Sequence, residues 1–243
     1  MHHSSDKIRG RFMSFFCRIM ATAIVAMAGT VPALAQIAVH PVIIDLPPED
    51  LQRADFTVEN PTSERVFVAV EPARIDAPGS EGETRVALSD PQQLGLLASP
   101  PRMILEPGER RFVRLAALTP PGDADRVFRV AVKPVAGDVT GEESGLKILV
   151  GYDLLVIQRP ANPTLTIDWE NSAEQVIVRN NGNSNAQLIN GRSCKPGQPE
   201  ESCTKVPSSR LYAGNAITVT KGAEEVVTFD VLFMGRSSRI VME

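Results

Sequence analysis

Apolar and polar residues alternate along most of the chain in short runs, as they do in β-strands with one buried face. Turn signals rich in Pro, Gly, Asn and Asp separate the runs. The only helical pattern is about one turn around residues 91–97. The sequence therefore predicts an all-β chain built from antiparallel sandwiches. The predicted strands are residues 36–46, 55–59, 66–70, 100–105, 111–115, 126–134, 144–160, 164–169, 175–180, 186–190, 210–212, 216–220, 225–233 and 239–242.

Pro41 interrupts the first predicted strand. A proline has no backbone N–H to donate to a neighbouring strand, so it is tolerated at sheet edges and where a chain leaves its sheet. We therefore expect an edge strand, or a switch between two sheets, at this point.

Residues 144–160 form a longer alternating run than the common strand of about five or six residues. Apolar residues occupy one face throughout, whereas Lys147 and Gly151 interrupt the other face in the first half only. This pattern predicts a strand that begins at a sheet edge and ends in a core. An apolar edge tends to pair with another chain unless a partner uses it. An ordinary long sandwich strand is the alternative. The apolar face is Leu146, Ile148, Val150, Tyr152, Leu154 and Val156.

Two prolines, Pro160 and Pro163, follow this strand directly and mark the best domain boundary in the chain. A second series of short strands comes after them. We therefore predict one domain over residues 36–159 and another over residues 160–243.

The first 35 residues have the features of a secretory signal peptide. Four basic residues precede or flank an apolar run over residues 19–31, which ends in Ala33-Leu34-Ala35. The run is shorter than the roughly 20 residues that span a bilayer, and no later run is long enough either. Export to the periplasm follows from this prediction, with no integral membrane segment after cleavage.

Removing this segment lowers the net charge of the chain. The segment holds four of the 25 basic and one of the 29 acidic residues, which leaves 21 and 28, a net charge of −7. An acidic chain without a basic patch is unsuited to nucleic acid, so that class of partner is excluded.

Cys194 and Cys203 are the two cysteines left after the signal segment. In an exported protein an isolated, closely spaced pair indicates a disulfide. A metal site is the alternative, but two thiols need further ligands, and the only remaining histidine is the distant His40. The single tryptophan, Trp169, is predicted to fill the second core, with stacking against a ligand as the alternative.

The sequence offers no catalytic constellation, so we expect no catalytic residue, metal or cofactor. His40 would have to serve any Ser-His-Asp triad, and there is no G-x-S-x-G turn, P-loop or dinucleotide fingerprint. Pairs of carboxylates occur in or near predicted loops, where solvated surface charge is expected rather than acid–base chemistry. These pairs are Asp123/Asp125, Glu142/Glu143, Glu200/Glu201 and Glu224/Glu225.

Several blocks together resemble the periplasmic chaperones of chaperone–usher pili. They are Leu-Glu-Pro-Gly-Glu-Arg-Arg-Phe-Val-Arg-Leu at residues 105–115, the strand at residues 126–134, and Gln-Arg-Pro-Ala at residues 158–161. Residues 178–183 and the pair Cys194/Cys203 look most like the alternate (alpha-type) branch of that family. The resemblance covers nearly the whole chain after the signal segment.

The resemblance implies two immunoglobulin-like β-sandwich domains set at an angle. Members of the family bind pilus subunits, which lack their last strand, by lending an edge strand of the first domain, and deliver them to an outer-membrane usher. Carried over by position, the subunit-binding residues here are Leu146, Ile148, Val150 and Tyr152. Self-association of the free form is left open.

One departure from the family concerns the anchor for the terminal carboxylate of the bound pilin. Members of the family use an Arg on the first strand and a Lys near the end of the long strand, which align here near Ile43 or Ile44 and at Leu155. None of these is basic. His40 or Arg159 is the candidate replacement, although Arg159 more often bridges the two domains in this family.

The alternative function is an exported immunoglobulin-like structural or adhesive surface protein that handles no pilin. Such a protein should cover its apolar edge with its own chain or with a stable homodimer. A hydrolase that depends on His40 ranks below both.

Overall fold

A computed structural model describes residues 36–48, 52–135 and 149–243, and the chain in it is almost entirely β, as the sequence predicts. Pairs of sheets form two sandwiches, which we call the first and the second. The strands of the first are β1 (Ala38–His40), β2 (Ile43–Leu46), β3 (Arg53–Glu59), β4 (Val66–Asp76), β5 (Thr84–Val86), β6 (Leu96–Ser99), β7 (Arg102–Leu105), β8 (Arg110–Ala117), β9 (Arg126–Val135) and β10 (Tyr152–Gln158).

One sheet of the first sandwich has four strands in the order β1-β3-β8-β6. The other has six, in the order β2-β10-β9-β4-β5, with β7 also paired to β4. A short helix, α1 (Pro91–Leu94), leads into β6 and is capped by the Asp90 side chain, which accepts from the Gln92 N–H. The two sheets enclose a core built from alternate strand positions, with Phe56, Phe128 and Leu115 among its fully buried side chains.

The second sandwich contains a three-stranded sheet in the order β11-β12-β16 and a five-stranded sheet in which β14-β13-β17-β18 are joined by β15 on β13. Phe229, Leu188 and Val178 are among the side chains fully buried in its core. Its strands are β11 (Ile167–Asn171), β12 (Gln175–Asn180), β13 (Ala186–Cys194), β14 (Thr204–Val206), β15 (Ser209–Leu211), β16 (Ala216–Thr220), β17 (Val226–Phe233) and β18 (Arg236–Met242).

The disulfide predicted from the sequence joins Cys194 to Cys203. It closes a short exposed loop that follows β13 and contains a single 3₁₀ turn, Glu200–Ser202. This loop returns the chain to the same sheet as β14.

The switch predicted at Pro41 is confirmed. On one side of the proline, β1 pairs antiparallel with β3 in the four-stranded sheet. On the other side, β2 pairs in parallel with β10 in the six-stranded sheet. The first predicted strand is therefore two short strands in different sheets.

Two expectations about burial were wrong. Trp169 does not fill the second core, because it lies on the edge strand β11, whose last four residues are all exposed. Asp125 is not a solvated loop carboxylate, since its side chain is almost completely buried against residues of the second sandwich. The short strands β5, β6 and β14 were not predicted.

The signal segment and the predicted pilin-binding residues Leu146 and Ile148 lie outside the described residues. Among the residues that are described, no helix is both long enough and apolar enough to cross a bilayer.

Candidate functional site

The strand β10 has different neighbours along its two halves. On one side it pairs antiparallel with β9 over its whole length, from Tyr152 opposite Val132 to Gln158 opposite Arg126. On the other side it pairs with β2 only from Leu155 onward, and the ladder begins where the Leu155 N–H donates to the Val42 carbonyl (3.0 Å). Within the described part of the chain, no strand pairs with the outer edge of Tyr152–Leu154. We call this segment the open edge.

The open edge exists because the chain changes sheets at Pro41. If β1 continued in line with β2, it would cover the outer side of residues 152–154. Instead Ala38–His40 lies on β3, where the Thr57 hydroxyl donates to the His40 carbonyl (3.0 Å). A local sequence feature therefore leaves backbone donors and acceptors of β10 free to pair with another strand.

The side chains of β10 divide by parity, as expected for a strand. Leu154 and Val156 are fully buried in the first core, and Tyr152 packs against its rim. Val150, the preceding residue of the same parity, is 53% exposed. The apolar face thus passes from buried to exposed toward the N-terminal end of the strand, in agreement with a strand that ends in a core.

The opposite face of β10 is also buried in its second half. Leu155 and Ile157 form a small apolar cluster with Ile75, Val127 and Tyr212, the last of which belongs to the second sandwich. Burial raises the pKa of the Tyr212 hydroxyl. This cover explains why the second half of the strand is apolar on both faces.

Charged residues line the outward face beside the open edge. The Asp153 carboxylate lies 2.9 Å from the Arg85 guanidinium and 3.9 Å from that of Arg129. Together with Lys133 and Gly151, Arg85 and Asp153 border an open groove of about 530 Å³. Arg129 also lies directly opposite Leu155 in the β9–β10 ladder, so a cation does stand beside one of the aligned anchor positions.

Gly151 allows β10 to begin its pairing with β9. A Cβ atom on this residue would lie only 2.8 Å from the Val132 carbonyl oxygen and 3.4 Å from Lys133 Cα. The glycine therefore permits a close backbone approach that any larger residue would prevent.

The two candidate carboxylate anchors lie in unlike environments. His40 is exposed at the end of β1, in the four-stranded sheet. Arg159 is buried directly after β10, on the six-stranded sheet, where its Nε donates to Asp45 (2.8 Å). The structure does not join them in one site.

Arg159 connects the two sandwiches. Its Nη1 lies 3.3 Å from the Asp125 carboxylate and donates to the Ser184 hydroxyl (2.8 Å) and the Asn185 carbonyl (3.2 Å). Asp125 also accepts from the backbone N–H of Asn185 (2.6 Å). Sequence reasoning missed Asp125 and Asp45 as partners, because they are far from Arg159 in the chain and no local pattern marks them.

Two edge strands of the second sandwich are protected by charge. The outermost strand of the three-stranded sheet, β11, carries Asp168 and Glu170, and the outermost strand β18 carries Arg236 and Arg239. Charges discourage pairing with another chain. The open edge is preceded by Leu149 and Val150 instead, both exposed and apolar.

Cation-binding chemistry has no site among the described residues. No three side chains of His, Cys, Asp or Glu converge there as the ligands of a metal ion would. Every buried polar side-chain atom of those residues has a hydrogen-bond partner within the chain. The arrangement is therefore suited to pairing and packing.

Comparison with known proteins identifies the fold. No protein-family model matches the chain. The CFA/I fimbrial protein of Escherichia coli that is named as the A subunit is 24% identical over 155 residues. These residues are 61% of this chain and 65% of that protein, just under two thirds of its length.

Solved structures match over more of the chain. The class 5 fimbriae chaperone CfaA superposes with a TM-score of 0.62 at 19% identity, over 85% of this chain and 99% of that one. A chain from the Salmonella enterica complex of the SafA pilin with the SafB chaperone gives a TM-score of 0.58 at 16% identity, over 87% and 97% of the two chains. The chain has the two-domain β-sandwich fold of these fimbrial chaperones.

Proposed function

We propose that the chain is a periplasmic chaperone for pilus subunits, of the alternate (alpha-type) branch, which delivers its client to an outer-membrane usher. The observation that carries the proposal is the open edge, which is preceded by the exposed Val150 in a fold shared with fimbrial chaperones. The CFA/I and SafA–SafB matches, which include a pilin bound to its chaperone, support the same function.

The mechanism is the addition of a strand to the client. The client's strand pairs with the backbone of the open edge, and this pairing tolerates many client sequences. Leu146, Ile148 and Val150 enter the client's groove as alternate apolar side chains, which fix the register. Tyr152 lies where the donated side chains meet the chaperone's own core. Each square ångström of apolar surface covered contributes about 25 cal/mol, so neither a cofactor nor ATP is needed.

The proposed division of the chain follows the same reasoning. Residues 1–35 are a signal peptide, residues 36–159 the client-binding domain and residues 160–243 the second domain. Secretion supports the disulfide Cys194–Cys203, since such bonds persist in oxidising compartments.

Arg159 is assigned a structural role rather than that of the carboxylate anchor. Its buried guanidinium already contacts Asp45, Asp125 and Ser184, so a client carboxylate would have to displace these partners. His40 remains exposed at the far side of the sheet switch.

The test is co-purification from periplasm with a candidate pilin encoded nearby. Wild type should retain the pilin in a one-to-one complex. Ile148→Asp/Val150→Asp should lose it, because two carboxylates would enter an apolar groove. Val241→Asp is the matched control, since this valine is 44% exposed on the edge strand β18 of the second sandwich, and it should retain the pilin.

Two results would count against the proposal. Retention of the pilin by Ile148→Asp/Val150→Asp would show that the strand assignment is wrong. A folded wild-type protein that binds no pilin would favour the alternative of a structural or adhesive surface protein.

A further inference from the structure

Three bulky apolar side chains stand in one row on the outward face of the six-stranded sheet. Phe67 on β4 lies directly opposite Ile104 on β7 and Val135 on β9. They are 41%, 43% and 49% exposed, respectively. Directly opposed residues of an antiparallel pair share a face, so the three form a continuous strip, which we call the apolar row. Leu149, which is also exposed, would lie next to Val135 if the β9–β10 register continued.

A row of exposed apolar residues in register differs from a single exposed one. Scattered apolar residues are normal on a protein surface, whereas contiguous ones indicate an interaction site. Phe112 provides the contrast. It is 67% exposed on β8, but it lies between the ion pairs Arg110–Glu59 and Arg114–Asp55.

The apolar row faces away from the side that would enter a client. Donated side chains have the parity of Val150, Leu154 and Val156, which point toward the core between the two sheets. The apolar row has the opposite parity, that of Asp153, and lies on the outer face. A client paired with the open edge would therefore leave the apolar row accessible.

Charge next to the apolar row restricts its partner. The adjacent row on the same face places Arg102 and Lys133 on either side of Ala69. Lys133 pairs with Glu71 (2.6 Å), but Arg102 makes no ion pair with any carboxylate of the described residues. A second copy of the chain would present the same cations to this face, whereas a surface with carboxylates beside an apolar strip would complement it.

We propose that the apolar row with Arg102 is the surface by which the loaded chaperone docks on the usher. This inference rests on the proposed function, which requires a partner that recognises the chaperone while the client is bound. Among the partners of that function, the usher alone must meet the chaperone with the open edge already occupied. Its docking site should present an apolar strip flanked by Asp or Glu.

The test measures binding of purified chaperone–pilin complexes to the detergent-solubilised usher encoded beside them. Phe67→Ser/Val135→Ser should weaken usher binding about tenfold or more, because truncating a central aromatic anchor removes much of an interface's affinity. Arg102→Glu should also weaken binding, and less so at high salt. Phe112→Ser is the matched control and should bind as wild type does.

The outcomes separate this inference from the proposed function. Pilin retention should be unchanged in all these variants, and a thermal melt verifies that each is folded. Usher binding that survives Phe67→Ser/Val135→Ser, or that is lost in Phe112→Ser, would overturn the assignment while the chaperone function stands. Failure of the wild-type complex to bind the usher would overturn it too. A wild type that retains no pilin would instead refute the proposed function, and this inference with it.

Discussion

Gly151 shows how one residue can control the start of the open edge. Its backbone passes so close to β9 that a Cβ would lie 2.8 Å from the Val132 carbonyl oxygen. The sequence marked this glycine only as a gap in the polar face of a long strand. The close approach depends on the position of β9, and no pattern within residues 144–160 reveals it.

Replacing Gly151 tests this constraint. Gly151→Ala should destabilise the first sandwich by about 1–3 kcal/mol, because β10 or β9 must shift to admit the methyl group. Gly82→Ala is the control, since its nearest neighbour would be the Ser80 hydroxyl at 3.7 Å, and its stability should hardly change. Urea unfolding measures both. Equal stability of Gly151→Ala and wild type would contradict the close approach.

Burial of individual polar residues was the hardest property to predict. Asp125 precedes β9 in what reads as a polar loop, yet its carboxylate accepts from Asn185 of the second sandwich. Trp169 reads as a core residue by its type, yet β11 is an edge strand and leaves it exposed. Both errors have one cause, since each depends on contacts between elements distant in sequence.

At the scale of elements, alternation and turn signals predicted most strands and the two-sandwich class. Pro41 predicted a sheet switch from chemistry alone, and the structure has one between β1 and β2. The short strands β5, β6 and β14 have three or four residues each, too few to show a period of two. Their strand state depends on the neighbour with which each one pairs.

The predicted dual character of the long strand also has a structural explanation. Its second half lies between β2 and β9, and its outward face is covered by Tyr212. The first described residues of the run, Leu149 and Val150, are exposed and precede the ladder. The candidate site was therefore readable in the sequence as a run, whereas its limit at Leu155 depends on where β2 begins.

At the scale of the molecule, Arg159 holds the two sandwiches together. Arg159→Ala should lower the free energy of unfolding by about 3–5 kcal/mol, because it leaves the buried Asp125 carboxylate without its cation. Arg239→Ala is the control, since this arginine is more than half exposed beside Asp230 and should contribute at most about 1 kcal/mol.

Urea unfolding and pilin retention together decide the role of Arg159. The structural role predicts a large loss of stability in Arg159→Ala. Unchanged stability with lost pilin binding would instead show that Arg159 is the carboxylate anchor.

Amide hydrogen exchange, followed by mass spectrometry on the free chaperone and on its one-to-one pilin complex, tests the central claim most directly. If the client adds a strand to the open edge, exchange across residues 146–154 should slow markedly in the complex, since their free backbone N–H groups become hydrogen-bonded. The charged edge strands β11 and β18 should exchange as they do in the free protein. Unchanged exchange at residues 146–154, or slowing confined to the second sandwich, would contradict strand donation.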